Sequence, residues 1–202
     1  MNQRCRGGRV WLLVALVCSG CESDPSKDSG TNGTRVPTLP TTSTSAGSGL
    51  NHETVLNGQY ARAVRIEPAT WAADGPGQEI SLTFSATGMR NVKQFRLRIQ
   101  AEPAEAFVLA SSRFTSRDPF FVPGIDLPGA TGLVETGAAI LGTQRVEGDG
   151  LLGTLTLITG PSFTAATRVS LRVVLFSIGS TSTNRDEYAA DDLNLGVQVN
   201  GP

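Results

Sequence analysis

Beyond residue 21 this chain has no cysteine: all three, Cys5, Cys18 and Cys21, lie at its N-terminus. That excludes a disulfide staple and any thiolate metal or redox site in the remainder, which must hold together by packing. Histidine is almost as scarce. The single one, His52, sits at the edge of a polar stretch and reads as a solvated linker residue, leaving a catalytic triad or a His-rich metal site nothing to build on. Wide aromatics are few, with Trp71, Tyr60 and Tyr188 the only tryptophan and tyrosines beyond residue 20. No helical period persists for ten residues after residue 60, and nucleotide-binding loops, acyl-transfer motifs and long basic patches are missing.

What is present begins with an export signature. Arg4, Arg6 and Arg9 precede the apolar run Val10 to Val17, followed by the small residues Ser19 and Gly20 and then Cys21. Eight apolar residues make about 12 Å of helix, against the roughly 30 Å of a bilayer core, so the run is too short to span. The segment Cys18-Ser19-Gly20-Cys21 resembles the lipobox of bacterial lipoproteins, although that family usually has Leu where Cys18 stands. The resemblance implies cleavage after residue 20, lipidation of Cys21 and attachment to a membrane. Glu22 after the cysteine, in place of Asp, leans towards an outer membrane or the cell surface within the cell envelope. Loss of the signal removes three arginines and no acid, so 17 basic residues become 14 against 18 acidic ones. That balance argues against a nucleic-acid groove.

Residues 21–58 read as a flexible tether rich in Ser, Thr and Pro, too polar to offset the roughly 1–2 kcal/mol per residue of backbone entropy lost on ordering. Residues 59–202 then form one domain, whose short period-two runs are separated by Gly, Pro, Asn and Asp. The clearest are Ala63 to Glu67, Glu79 to Ala86, Val92 to Gln100, Gly132 to Leu141, Leu151 to Ile158, Arg168 to Phe176 and Leu193 to Val199. Half-polar strands bury one face and wet the other, as antiparallel sheets do. The expected fold class is therefore all-β, an antiparallel β-sandwich. Its core should draw on Phe84, Phe95, Leu97, Ile99, Leu155, Leu157, Leu171, Val173 and Leu175. Glu105 to Leu109 fits either a strand or a helical turn.

Two regions carry open functional readings. The stretch from Ser111 to Gly132 is long for a loop and holds Phe114, Phe120, Phe121 and Ile125; these either plug one end of the sandwich or form an exposed aromatic surface. Trp71 is either half-buried at an edge or a platform for a sugar ring. The carboxylates Glu135, Glu147, Asp149, Asp186, Glu187, Asp191 and Asp192 fall mostly in apparent turns, where solvation explains them without glycosidase chemistry. Asn184 to Asn194 reads as a polar loop, with a structural Ca²⁺ cage as the less favoured alternative. No catalytic residues, cofactor or metal ligands are assigned, and the chain is not expected to be an enzyme.

The segments Val92 to Pro103, Phe107, and Gly148-Asp149-Gly150 leading into Leu151 to Leu157 resemble the cohesin domain, the receptor half of cohesin–dockerin pairs. The resemblance spans about Ala63 to Val199. It implies a jelly-roll sandwich of about nine strands that receives a small Ca²⁺-loaded helical partner on one sheet face, with Thr154 and Thr156 facing outward opposite Leu155 and Leu157. The calcium would sit in the partner, since no EF-hand-type loop is present here. The expectation is thus a lipid-anchored envelope protein presenting a protein-binding module. Its candidate surface residues are Thr154, Thr156, Phe120, Phe121 and Trp71, and its partner is a dockerin-like or other envelope or extracellular protein. A structural domain or a polysaccharide-binding one is the alternative. A flat strip of Thr, Ser and Leu on one sheet face would mark the protein-binding reading.

Overall fold

The computed structural model describes residues 49–123, 127–128 and 132–201; Cys21, Ile125 and the signal stretch lie outside them. In chain order the strands are β1 Glu53–Val55, β2 Ala63–Glu67, β3 Thr70–Trp71, β4 Glu79–Val92, β5 Gln94–Glu102, β6 Arg113–Ser116, β7 Val122–Pro123, β8 Leu127–Pro128, β9 Leu133–Ala139, β10 Val146–Ile158, β11 Val169–Gly179, β12 Arg185–Ala189 and β13 Gly196–Val199. One helical turn, α1 Ala190–Leu193, precedes β13, and the Glu105 to Leu109 stretch resolves into 3-10 turns at Ala104–Ala106 and Leu109–Ser111.

These strands make two sheets. The first runs β1-β2-β4-β10-β6; the second runs β3-β13-β11-β5-β9-β7, with β12 paired to β11 and β8 to β9. Every named pairing is antiparallel except β13 with β3. The period-two pattern drives this. Along β4 the side chains of Ile80, Leu82, Phe84 and Ala86 are buried while Ser81, Thr83, Ser85 and Thr87 alternate outward. On β10, Leu155 and Leu157 are buried and Thr154 and Thr156 are not. Each large apolar side chain buried this way is worth about 1.5–3 kcal/mol, and with no cysteine in the domain this packing is what holds the sheets together.

The Ser111 to Gly132 stretch contributes β6, β7 and β8 and fills one part of the core. Phe114 and Phe120 lie between the sheets, with ring centroids 5.8 Å and 5.0 Å from Phe95 and Phe114 6.4 Å from Phe84. Gly153 makes room for this: a Cβ there would come within 2.5 Å of the Phe114 ring.

Several expectations need correction. Leu175 is only half-buried, because a β-bulge between Val173 and Leu175 shifts the register of β11 on β5 and turns Phe176 and Ile178 inward instead. The strand expected from Leu151 starts earlier: Gly148-Asp149-Gly150 is already part of β10, where the register on β4 shifts repeatedly and Gly148 adopts φ +82°. Besides the strands that show a period, the described residues hold four of only two or three residues, β1, β3, β7 and β8, too short to show one. The stretch Asn184 to Asn194 is mostly β12 and α1. Residues 51–58, expected to belong to a tether, are part of the folded domain: β1 pairs with β2, Leu56 is buried, and the His52 carbonyl accepts a hydrogen bond from the Ile66 amide at 2.8 Å.

Candidate binding face

The outer face of the first sheet is assembled by register. Directly opposed antiparallel residues point to the same side, so the pairings lay out rows across four strands. One row holds Glu67 on β2, Thr83 on β4, Thr154 on β10 and Thr115 on β6. The next holds Ser81, Thr156 and Arg113 on β4, β10 and β6. On the other side, Arg65, Ser85 and Leu151 form a row that Glu53 on β1 extends. The Oγ1 atoms of Thr83 and Thr154 stand 3.4 Å apart across the strands.

The centre of this face is therefore uncharged and hydroxyl-lined, with exposed Leu151 at one corner. Charge is confined to its rims. At the β2 side Arg65 and Glu67 form an ion pair at 2.8 Å, both about half exposed. Beyond Glu67 the strand ends, and a groove of about 500 Å³ opens, lined by His52, Arg65, Glu67, Pro68, Ala69, Ser81 and Thr83. At the β6 side stands exposed Arg113.

Of the residues anticipated from sequence, Thr154 and Thr156 lie at the middle of this face. Phe120 does not belong to any surface: it is 1% exposed, edge-to-face against Phe95, whereas its neighbour Phe121 is 51% exposed. Consecutive residues in extended chain point to opposite sides, so only one of the pair can enter the core. Trp71 lies in β3 at the margin of the second sheet, half-buried against the core. Tyr188 stacks on Phe176 at 6.3 Å, and Tyr60 is buried with its hydroxyl 3.1 Å from Ser180 Oγ. The tryptophan and tyrosines of the domain are thus packed rather than presented. Burial, with the Asp186 carboxylate beside it, pushes the Tyr188 phenol up to about 12.

The carboxylates set aside earlier have structural partners. Asp149 accepts the Gly88 amide at 2.7 Å and Glu147 the Asn91 amide at 2.8 Å, replacing ladder bonds lost at the bulges of β4 and β10. Asp186 accepts the Tyr60 amide at 2.9 Å and Asp192 the Ala189 amide at 3.1 Å. Glu135, on the outer face of the second sheet, pairs with both Arg96 and Arg98. Among the described residues no three His, Cys, Asp or Glu side chains converge as a metal site. The sequence reading missed Ser81, Thr83, Ser85 and Thr115 as members of the face, and Arg65, Glu67 and Arg113 as its rims. The alternation around Ser81 and Thr83 was the available signal; which strands lie side by side was not.

Fold and surface together define a class: a two-sheet antiparallel β-sandwich with one uncharged, hydroxyl-lined outer face. No protein-family model matches the chain, and the search of curated proteins finds no match. Among solved structures it is similar to cohesin modules. One is a cohesin module from a family 33 glycoside hydrolase of Clostridium perfringens, at 20% identity, covering 68% of this chain and 95% of that one with a TM-score of 0.47. Another is the sixth cohesin of Acetivibrio cellulolyticus scaffoldin B, solved in complex with a Cel5 dockerin mutant, at 12% identity over 68% and 96% of the two chains with a TM-score of 0.45. A third is the second type II cohesin of the Acetivibrio cellulolyticus ScaA scaffoldin, at 12% identity over 69% and 95% with a TM-score of 0.46.

Proposed function

We propose that this chain is a lipid-anchored protein of the cell envelope that presents its sandwich as a protein-binding module, with the hydroxyl-lined face of the first sheet as the docking surface. The observation that carries the reading is the pair of rows Thr83–Thr154–Thr115 and Ser81–Thr156 across β4, β10 and β6. Hydroxyls both donate and accept, so such a face can match a partner's polar groups without stranding a buried charge. Packed Trp71 and Tyr188 weaken the polysaccharide alternative, which needs presented rings. Lipidation at Cys21 rests on the lipobox-like CSG-Cys sequence, and the tether beyond it would hold the domain off an outer membrane or cell surface. The sequence resemblance to cohesins makes a small Ca²⁺-loaded, dockerin-like protein the first partner to test.

The full chain, expressed in its host, is recovered from the membrane fraction and used to capture envelope and extracellular proteins with Ca²⁺ or with chelator. Wild type is expected to fractionate with membrane and Cys21→Ser to be released. Capture should fall about tenfold or more in Thr154→Arg, which puts a desolvated charge at the centre of the face. Calcium-dependent recovery of a small helical protein would support the dockerin-like partner, and recovery unchanged by chelator would remove it. Capture indifferent to Thr154→Arg would sink this docking surface.

A further inference from the structure

We propose that Asn57 is a site of self-modification: the backbone nitrogen of Gly58 displaces ammonia from the Asn57 side chain, and water opens the resulting ring to isoaspartate. The product loosens the first strand of the sandwich. This inference is independent of the docking face.

The reaction needs an asparagine whose side chain can turn freely, followed by a residue whose nitrogen is open to approach. Glycine meets the second condition best, because it has no side chain to block the way. Among the described residues only Asn57 and Asn200 precede glycine; Asn51, Asn91, Asn184 and Asn194 precede His, Val, Arg and Leu. The two Asn-Gly pairs differ in how they are held. Asn200 is pinned through its side chain: Oδ1 accepts the Ala73 amide at 2.9 Å, while Nδ2 donates to the Ala73 carbonyl at 2.6 Å and the Thr167 carbonyl at 3.0 Å. Its backbone amide donates to the Trp71 carbonyl at 2.8 Å. Asn57 lies between β1 and β2, outside both strands, exposed and with no side-chain hydrogen bond among the described residues. No described backbone carbonyl takes the Gly58 N–H, so no ladder bond ties up the attacking nitrogen.

In the step itself the Gly58 nitrogen loses its proton to solvent and bonds to Asn57 Cγ. The Cγ–Nδ2 bond breaks, and ammonia leaves with a proton returned from solvent. The cyclic imide then takes up one water. Opening at the former main-chain carbonyl leaves the chain running through Cβ and Cγ, one carbon longer, with a free carboxylate where the peptide carbonyl stood. No oxidant or reductant is needed.

The turn has no slack for a longer chain. A Cβ on Gly58 would already collide with the Tyr188 hydroxyl and the Asp186 carboxylate. On either side of the pair the chain is fixed: the Leu56 amide donates to the Arg62 carbonyl at 2.7 Å and the Tyr60 amide to Asp186 at 2.9 Å, with Leu56 and Tyr60 both buried. An extra main-chain carbon between these points strains the turn. The new negative charge, one residue from the contact with Asp186, is repelled by that carboxylate. Both effects push the turn away from β12 and loosen β1 with it.

Peptide mapping by mass spectrometry of the full chain, kept at mildly alkaline pH, tests the site. The Asn57 peptide should turn from amide to acid at least about tenfold faster than the Asn200 peptide, since the side-chain hydrogen bonds of Asn200 must open before it can react. Most of the product should be isoaspartate, read as methyl label placed on that peptide by an isoaspartyl methyltransferase. Aged wild type should gain a population that melts below the fresh chain. Asn57→Gln is equally exposed and closes its larger ring far more slowly, so it should fold as wild type and show neither change on ageing. Conversion at Asn57 no faster than at Asn200 overturns the site. Conversion that leaves aged wild type melting with aged Asn57→Gln overturns the loosening of β1.

Discussion

Glu135 illustrates how a single side chain on the outer wall of the second sheet can matter to the fold. Burial alone would raise its pKa, but hydrogen bonds from Arg98 and Arg96 and the charges of both guanidinium groups outweigh that and hold it below the ordinary value of 4.5. A carboxylate whose folded pKa lies below its unfolded one binds fewer protons in the native state. Its contribution to stability is complete above 4.5 and is lost as pH falls through the depressed folded value. Arg96 and Arg98 are each 38% exposed, so solvent screens part of the effect. Glu135→Gln should therefore lower Tm at neutral pH, with a gap to wild type that stays level down to about pH 4.5 and closes below it. Thermal melts followed by circular dichroism between about pH 3 and 7 read this directly. A gap that is the same at both ends of the range would mean the two arginines bind Glu135 through packing alone.

At the level of elements, alternation was legible wherever a strand was long and regular, and illegible where a bulge or a neighbour decided the outcome. β2, β4, β5, β9, β10, β11 and β13 each correspond to a period-two run, because one side of each is wet and one dry. On β11 the run Leu171, Val173, Leu175 extrapolates inward, yet the bulge after Val173 hands the core position to Phe176. Nothing in the local pattern marks that extra residue; it is set by how β11 meets β5. β12, Arg185–Ala189, reads as a polar loop because it carries charges and only Tyr188 among its residues packs against the core. The hydroxyl face was half visible for the same reason: Thr154 and Thr156 alternate with leucines, whereas Thr115 and Arg113 join them only through the non-local pairing of β6 with β10. The bulge gives a sharp contrast between neighbours. Phe176→Ala should cost about 3–5 kcal/mol, as for a fully buried aromatic, and Leu175→Ala markedly less, about 1 kcal/mol. Urea denaturation of the two variants measures both, and equal losses would contradict the register described here.

For the whole molecule, the decisive question is where the domain begins. β1 lies within the stretch whose composition reads as tether, since Asn51, His52, Glu53 and Thr54 are polar and only Val55 and Leu56 follow. Its role is visible only in the fold, where it joins the two sheets at one end. It pairs with β2 of the first sheet, while Asn51 exchanges backbone hydrogen bonds with Asn194 at 2.9 Å and Gly196 at 2.8 Å beside β13 of the second. Thr54 Oγ1 donates to the Leu193 carbonyl at 2.5 Å, and Leu56 is buried. Burial of one leucine contributes about 2 kcal/mol and each hydrogen bond about 1 kcal/mol. Removing β1 also bares the edge of β2, an open template for pairing with other chains. A chain starting at residue 46 should therefore melt cooperatively at the temperature of the full protein, and one starting at residue 59 should melt far lower or aggregate. Calorimetry of the two truncations reads the difference. Equal melting temperatures would make β1 an appendage and return residues 51–58 to the tether; a large gap makes the first strand the clasp that closes the sandwich.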